Sequence, residues 1–317
     1  MMSHPAASEP TVPHSVTPSS LPAPKSPMAR VRTGVIVALV FLSALALGGW
    51  VWALMTLVAM AQCFEELRKM LLVREQTASR IAFYSAIVPL VILAQLGKVD
   101  WFWPVLMMGF TLSCFQWLFK SPKRTIADLG ATLLAMIYTG FLPLHAILIR
   151  NFDLHALVHQ PFWQQTGVQL LFLIIGVIAC SDIGAYYVGK AFGKHLLSPE
   201  LSPKKTQEGA FGGLIAGLVF GLGVAMAINF PLHHAFILST LLVICGALGD
   251  LVESKLKREA GVKDSGGLLE GHGGLLDRLD SYLFSVAVAY YYIHWIVRED
   301  GIAKEWASLL SQLLSGH

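Results

Sequence analysis

Residues 249–281 read GDLVESKLKREAGVKDSGGLLEGHGGLLDRLDS. The stretch lies between two long apolar runs. It carries seven carboxylates (Asp250, Glu253, Glu259, Asp264, Glu270, Asp277, Asp280), five Lys or Arg, one His and six glycines after Gly249. Charge gathered at the edge of hydrocarbon is costly unless it is used. Around it the chain is overwhelmingly apolar: of 317 residues, 55% are hydrophobic and 14% charged, with a mean hydropathy of +0.61. A soluble domain carries roughly 25% charged residues, and several runs here reach the ~18 apolar residues that mark a transmembrane helix. The expectation is an all-α, polytopic integral membrane protein embedded in a lipid bilayer.

Upstream of this stretch, residues 1–32 are rich in Pro, Ser and Ala and lack apolar periodicity, the composition of a disordered tail. The apolar run Thr33–Cys63 is interrupted by Gly48-Gly49 and is read as two short helices of about fifteen residues, below the usual span length. Further spans are expected at Ile81–Leu96, Trp101–Phe119, Thr125–Ile149, Val168–Phe192, Phe211–Phe230, His234–Leu256 and Ser281–Val297. Arg68, Lys69, Arg74 and Arg80 fall in one connection, and Lys120, Lys123 and Arg124 in a second. Lys190, Lys194, Lys204 and Lys205 surround a third, and Lys255, Lys257, Arg258, Lys263 and Arg278 fill the fourth. The alternate connections hold only Lys98, Arg150 and none. The positive-inside rule then puts the rich connections and the N-terminal tail in the cytoplasm. The count is about nine crossings over residues 33–298, with the active site on the cytoplasmic side. Residues 299–317 form a C-terminal amphipathic tail in which Trp306–Leu314 suits an interfacial helix. Four cysteines lie inside apolar segments without metal or CxxC spacing and read as small buried hydrophobes. The net charge of +3 is modest, and no nucleic-acid partner is expected.

Two same-side connections carry the chemistry. Asp250 and Glu253 are i, i+3 at the end of one helix, and Asp277 and Asp280 repeat that spacing at the start of the next, so each pair shares a face. Two facing helices would present four carboxylates to one point, a donor set for Mg²⁺ together with substrate phosphates; the alternative is a set of salt bridges with the neighbouring lysines. His272, flanked by glycines, is either structural or a phosphate or metal contact. In the other connection Asp182 lies within an apolar helix, sharing a face with Tyr186 and Gly189. Ser202-Pro203-Lys204-Lys205-Thr206 and the glycines after it suit phosphate oxygens, or serve as a positive-inside loop with turn residues.

At these residues the sequence resembles the phosphatidate cytidylyltransferase (CDP-diacylglycerol synthase) family. Its signature is matched by Ser254, Lys257-Arg258, Lys263-Asp264, His272-Gly273-Gly274, Asp277-Arg278 and Asp280. Ser181-Asp182, Ala185-Tyr186, Gly193-Lys194 and Ser202 to Gly209 match a second family run. One departure is Glu270, where family members often carry Pro. The resemblance covers roughly residues 34–298. It implies transfer of a cytidylyl group from CTP to phosphatidate, giving CDP-diacylglycerol and pyrophosphate for phospholipid synthesis. The implied cofactor is Mg²⁺, with a second cation left open, on Asp250, Asp277 and Asp280, with Glu253 and Asp264 as second choices. Lys204, Lys205, Lys257, Arg258 and Lys263 would hold triphosphate or lipid phosphate, Arg278 would grip one phosphate, Ser202 and Thr206 would add hydroxyl contacts, and Asp182 would support a lysine or line the cavity. A homodimer in a bacterial inner membrane is the implied setting. Two other readings compete with it. One is a CTP-using lipid kinase, which would release CDP; the other is a transporter whose charged loops serve only topology.

Overall fold

The computed structural model describes residues 27–119, 124–152, 165–198, 202–267 and 273–297. His272, the tail up to residue 26 and the amphipathic segment 299–317 lie outside the described residues. Among those described, nine helical segments run in sequence: α1 Pro27–Leu47, α2 Gly49–Val73, α3 Arg80–Gln95, α4 Phe102–Phe119, α5 Ile126–Arg150, α6 Thr166–Phe192, α7 Gln207–Ala227, α8 Leu232–Glu259 and α9, which starts at Leu276–Tyr292 and ends in the π-helical turn Ile293–Val297. By length and composition, α5 to α8 and the segment Val99–Phe119 are apolar and long enough to cross a membrane.

The glycine break at the first apolar run falls where the sequence places it, but the helices it separates are longer than expected, 21 and 25 residues. Helix α1 starts at Pro27, within the stretch read as tail. Helix α2 runs on through Arg68 and Lys69 to Val73, because an amphipathic helix end carries charge on one face without breaking. The break is built by Arg150, which ends α5. Its buried side chain donates from Nε to the Leu45 carbonyl at 2.8 Å, satisfying an orphan C=O of α1. Gly48 sits there with φ +61°, and a side chain on it would run into that guanidinium. Only glycine combines the left-handed backbone with that close approach.

The core between α2 and α3 is aromatic: Phe64 stacks on Phe83 at 3.9 Å between ring centroids, both fully buried with Leu67, Ile87 and Leu90. Helices α6 and α7 pack by a different rule. The buried positions Gly209, Gly213, Gly217, Gly221 and Ala225 recur every four residues along α7. A Cβ at Gly213 would lie 2.8 Å from the Ser181 carbonyl of α6, so the two backbones touch, as small-residue stripes allow in membrane helices. The all-α expectation needs one amendment: between α6 and α7 a two-stranded antiparallel hairpin, β1 Leu196–Ser198 and β2 Ser202–Thr206, pairs Leu196 with Thr206 and Ser198 with Ser202. Pro203 keeps this segment out of a helix, and the chain must reverse between two helices already in backbone contact.

Candidate active site

The C-terminal turns of α8 and the first turns of α9 build the site. They meet because α8 presents Gly246 and Gly249 to α9. A Cβ on Gly249 would fall within 3.0 Å of the Asp280 carbonyl oxygen, an approach real Cβ atoms do not make. This backbone contact carries Asp250 and Glu253 of α8 up to Asp280 of α9, and carboxylate oxygens of the three lie within 4.8 Å of one another. Glu253 is fully buried and Asp280 is 8% exposed.

Two lysines enter the same cluster. Lys205, at the end of β2, ion-pairs with Asp250. Lys257, one turn beyond Glu253, ion-pairs with it and also with Asp277, Nζ to Oδ1 2.8 Å. Burial holds the Lys205 amine below its ordinary range, opposed by the negative charges of Asp280 and of Asp182 on α6. Asp182 is therefore within electrostatic reach of Lys205, although it is otherwise exposed. Asp250, Glu253 and Asp280 thus bring carboxylate oxygens together beside two lysines in a largely buried place. Buried charge demands compensation, and one divalent cation supplies it. The donor set of hard oxygens thus fits Mg²⁺, with Asp250, Glu253 and Asp280 the residues placed to hold it.

Asp277 is not among these three. Its carboxylate accepts from the backbone N–H of Ser265 at 3.0 Å and of Gly274 at 2.8 Å, besides Lys257. It closes the turn between α8 and α9 and shares the Lys257 ammonium with Glu253. Gly273 precedes it with φ +81°, and a Cβ there would lie 2.8 Å from Asp277 Oδ2, so the second residue of His-Gly-Gly requires glycine.

The remaining predicted residues separate by position. Thr206 caps α7, its Oγ1 accepting from the Gly209 N–H at 3.1 Å, and so spends its hydroxyl on the helix. Ser202 is half-buried in β2, while Lys204, Arg258, Lys263, Asp264 and Arg278 are exposed. Ser254 donates to Asp250 at 3.4 Å. The sequence reading overlooked Glu66. This α2 residue is 1% exposed and accepts from the backbone N–H groups of Leu275 at 3.0 Å and Leu276 at 2.8 Å. It thereby occupies the positive N-terminal end of α9. A signal was present: Glu65-Glu66 interrupts an apolar helix, a placement that is costly without a partner.

A helical bundle with membrane-length apolar helices that gathers carboxylates and lysines in one cluster defines a class: an integral-membrane type of protein with a charged, partly buried site. The chain belongs to the Cytidylyltransferase family, whose profile matches residues 28–296. It is similar to the phosphatidate cytidylyltransferase of Synechocystis, 35% identical over 84% of this chain and 96% of the relative. The enzyme of the same name from Staphylococcus haemolyticus is 33% identical over 80% of this chain and 94% of its own length. That of Bacillus subtilis is 40% identical over 53% of this chain and 59% of its own.

Proposed function

We propose that the chain transfers the cytidylyl group of CTP to phosphatidate, releasing pyrophosphate and forming CDP-diacylglycerol. The observation that carries this reading is the meeting of Asp250, Glu253 and Asp280 with Lys205 and Lys257 at one end of the helices, in a chain of this family. An oxygen of the phosphatidate phosphate forms a bond to the α-phosphorus of CTP, and the bond from that phosphorus to the bridging oxygen of the β-phosphate breaks. The nucleophile is already anionic, so no strong general base is needed; the protein must position two polyanions and stabilise the departing charge.

Asp250, Glu253 and Asp280 would hold Mg²⁺, which when bound neutralises triphosphate charge and stabilises the leaving pyrophosphate. Lys205 and Lys257 exchange a carboxylate partner for a phosphate oxygen when substrate arrives. Lys204, Arg258, Lys263 and Arg278 steer the polyanion, Arg278 with a fork suited to two phosphate oxygens. Asp277 holds the turn and Lys257 in register, and Asp182 tunes Lys205. Ser202 and His272 are further substrate contacts in this reading.

The setting follows from the same layout. Nine crossings, with the acidic and basic end in the cytoplasm of a bacterial inner membrane, match the one-sided placement of Lys and Arg. Phosphatidate enters sideways from the inner leaflet. Residues 1–26 serve as a cytoplasmic tail, residues 299–317 as an interfacial segment, and two copies form a homodimer on the strength of the family resemblance. The test is incubation of the purified protein with CTP radiolabelled in the cytosine ring, phosphatidate and Mg²⁺. Label in the lipid phase with equimolar pyrophosphate is expected. Release of CDP with an unlabelled phosphorylated lipid would instead identify a CTP-dependent kinase and refute the proposal.

A further inference from the structure

We propose that Glu66 is a positioning residue for the acidic cluster: a buried carboxylate of α2 that locks the α8–α9 turn and so sets Asp280 against Asp250 and Glu253, and Asp277 against Lys257. This builds on the metal and cytidylyl-transfer reading of the site. The two oxygens of Glu66 are each used twice. Oε1 accepts from Gln62 Nε2 at 2.9 Å and from the Leu275 N–H at 3.0 Å. Oε2 accepts from Ser265 Oγ at 3.2 Å and from the Leu276 N–H at 2.8 Å. Ser265 passes the constraint on: its Oγ accepts from the Asp277 N–H at 3.3 Å, and its own N–H donates to the Asp277 carboxylate at 3.0 Å. One carboxylate thus grips both sides of the turn and the first turn of α9, from a position about 200 residues earlier in the chain.

The glycines of the turn fit this role. A Cβ on Gly266 would lie 2.9 Å from Glu66 Oε1, and one on Gly274 would lie 2.5 Å from Glu66 Oε2 and 2.8 Å from the Gly266 nitrogen. Both glycines leave room for the Glu66 carboxylate to enter. A glutamine at 66 cannot serve, because its amide nitrogen would face two donors where an acceptor is required. Groups that orient metal-holding residues from behind typically change metal affinity or activity 10–100-fold when removed.

The test compares full-length wild type with Glu66→Gln in detergent, using two readouts: Mn²⁺ binding by EPR without substrates, and the kcat and KM for CTP at saturating phosphatidate. With the variant still folded by size exclusion and thermal melt, the expected result is a Mn²⁺ affinity weakened about tenfold or more and a kcat lowered to a similar degree, with KM for CTP changed less than threefold. A lower melting temperature accompanied by wild-type Mn²⁺ affinity and kcat would overturn the proposal, leaving Glu66 a stabilising residue only. Should Glu66→Gln fail to fold, Ser265→Ala decides by the same readouts: weakened Mn²⁺ binding and kcat support the relay, and wild-type values overturn it. If no CDP-diacylglycerol forms even with wild type, the reaction assignment fails, and the Mn²⁺ readout alone still decides the role of Glu66.

Discussion

Replacing Gly249 by Ala adds a single methyl group at the point where α8 touches α9. The methyl carbon would meet the Asp280 carbonyl oxygen inside 3.0 Å, and the carbonyl carbon at 3.3 Å. Both partners are backbone, so neither rotates away, and the helices must separate by about 1 Å to restore van der Waals contact. Overpacking of this kind costs about 1–3 kcal/mol, partly offset by the ~1 kcal/mol gain of Ala over Gly in a helix. The chain should still fold. The separation falls between Asp250 and Asp280, whose oxygens lie within a 4.8 Å cluster, and a misplacement of about 1 Å costs on the order of 10²-fold in rate. Gly246, one turn earlier on the same face, is the control: its Cβ would find Ser281 at 3.6 Å and Ser285 at 3.7 Å, ordinary contacts. In a CDP-diacylglycerol assay across a Mg²⁺ titration, Gly249→Ala should lose about two orders of magnitude with a raised Mg²⁺ requirement, while Gly246→Ala stays within a few-fold of wild type. Equal activity in the two folded variants would refute the reasoning.

Other expectations come from single contacts. Lys257→Met removes the ammonium that compensates fully buried Glu253 and pairs with Asp277, and should destabilise the chain by about 3 kcal/mol or more, read as a fall in the thermal midpoint in detergent. Thr206→Ala removes the cap on α7 and should cost ~1 kcal/mol; Thr206→Ser should restore the melting temperature, whereas a phosphate-binding role would appear as a raised KM for CTP. Arg150→Met frees the Leu45 carbonyl at the end of the bundle opposite the acidic cluster. It should lower stability by about 1–3 kcal/mol, measured by thermal melt, and leave kcat at the wild-type value.

Much of the architecture was legible from apolar run lengths. The break at Gly48-Gly49 and the helices from α3 to α9 fall within a few residues of their sequence-based spans, because membrane-length apolar segments have few alternatives to helix. The errors lie at helix ends. α2, α8 and α9 run on into charged sequence, since a helix terminus tolerates charge on a face that meets water or a partner. The hairpin before α7 was invisible as strand: Ser-Pro-Lys-Lys-Thr has no alternation of apolar and polar residues, and its pairing is imposed by the helices it joins.

The sequence alone determined which residue types are available to the site and which two connections hold them, because hydrocarbon leaves few places for charge. Spacing also placed Asp250 with Glu253, and Asp277 with Asp280, since a helix repeats its face every three to four residues. Which members of the pairs then meet was decided only by tertiary packing. The Gly249–Asp280 backbone contact brings Asp250, Glu253 and Asp280 together, while the turn claims Asp277 through Ser265 and Gly274. The same holds for Glu66 and Arg150. Each is a buried charge on a largely apolar helix, and the partners that fix its role lie 199–210 residues away for Glu66 and 105 for Arg150. Local periodicity reports one helix face at a time; the meeting of faces depends on how closely backbones approach, which glycines permit but do not announce.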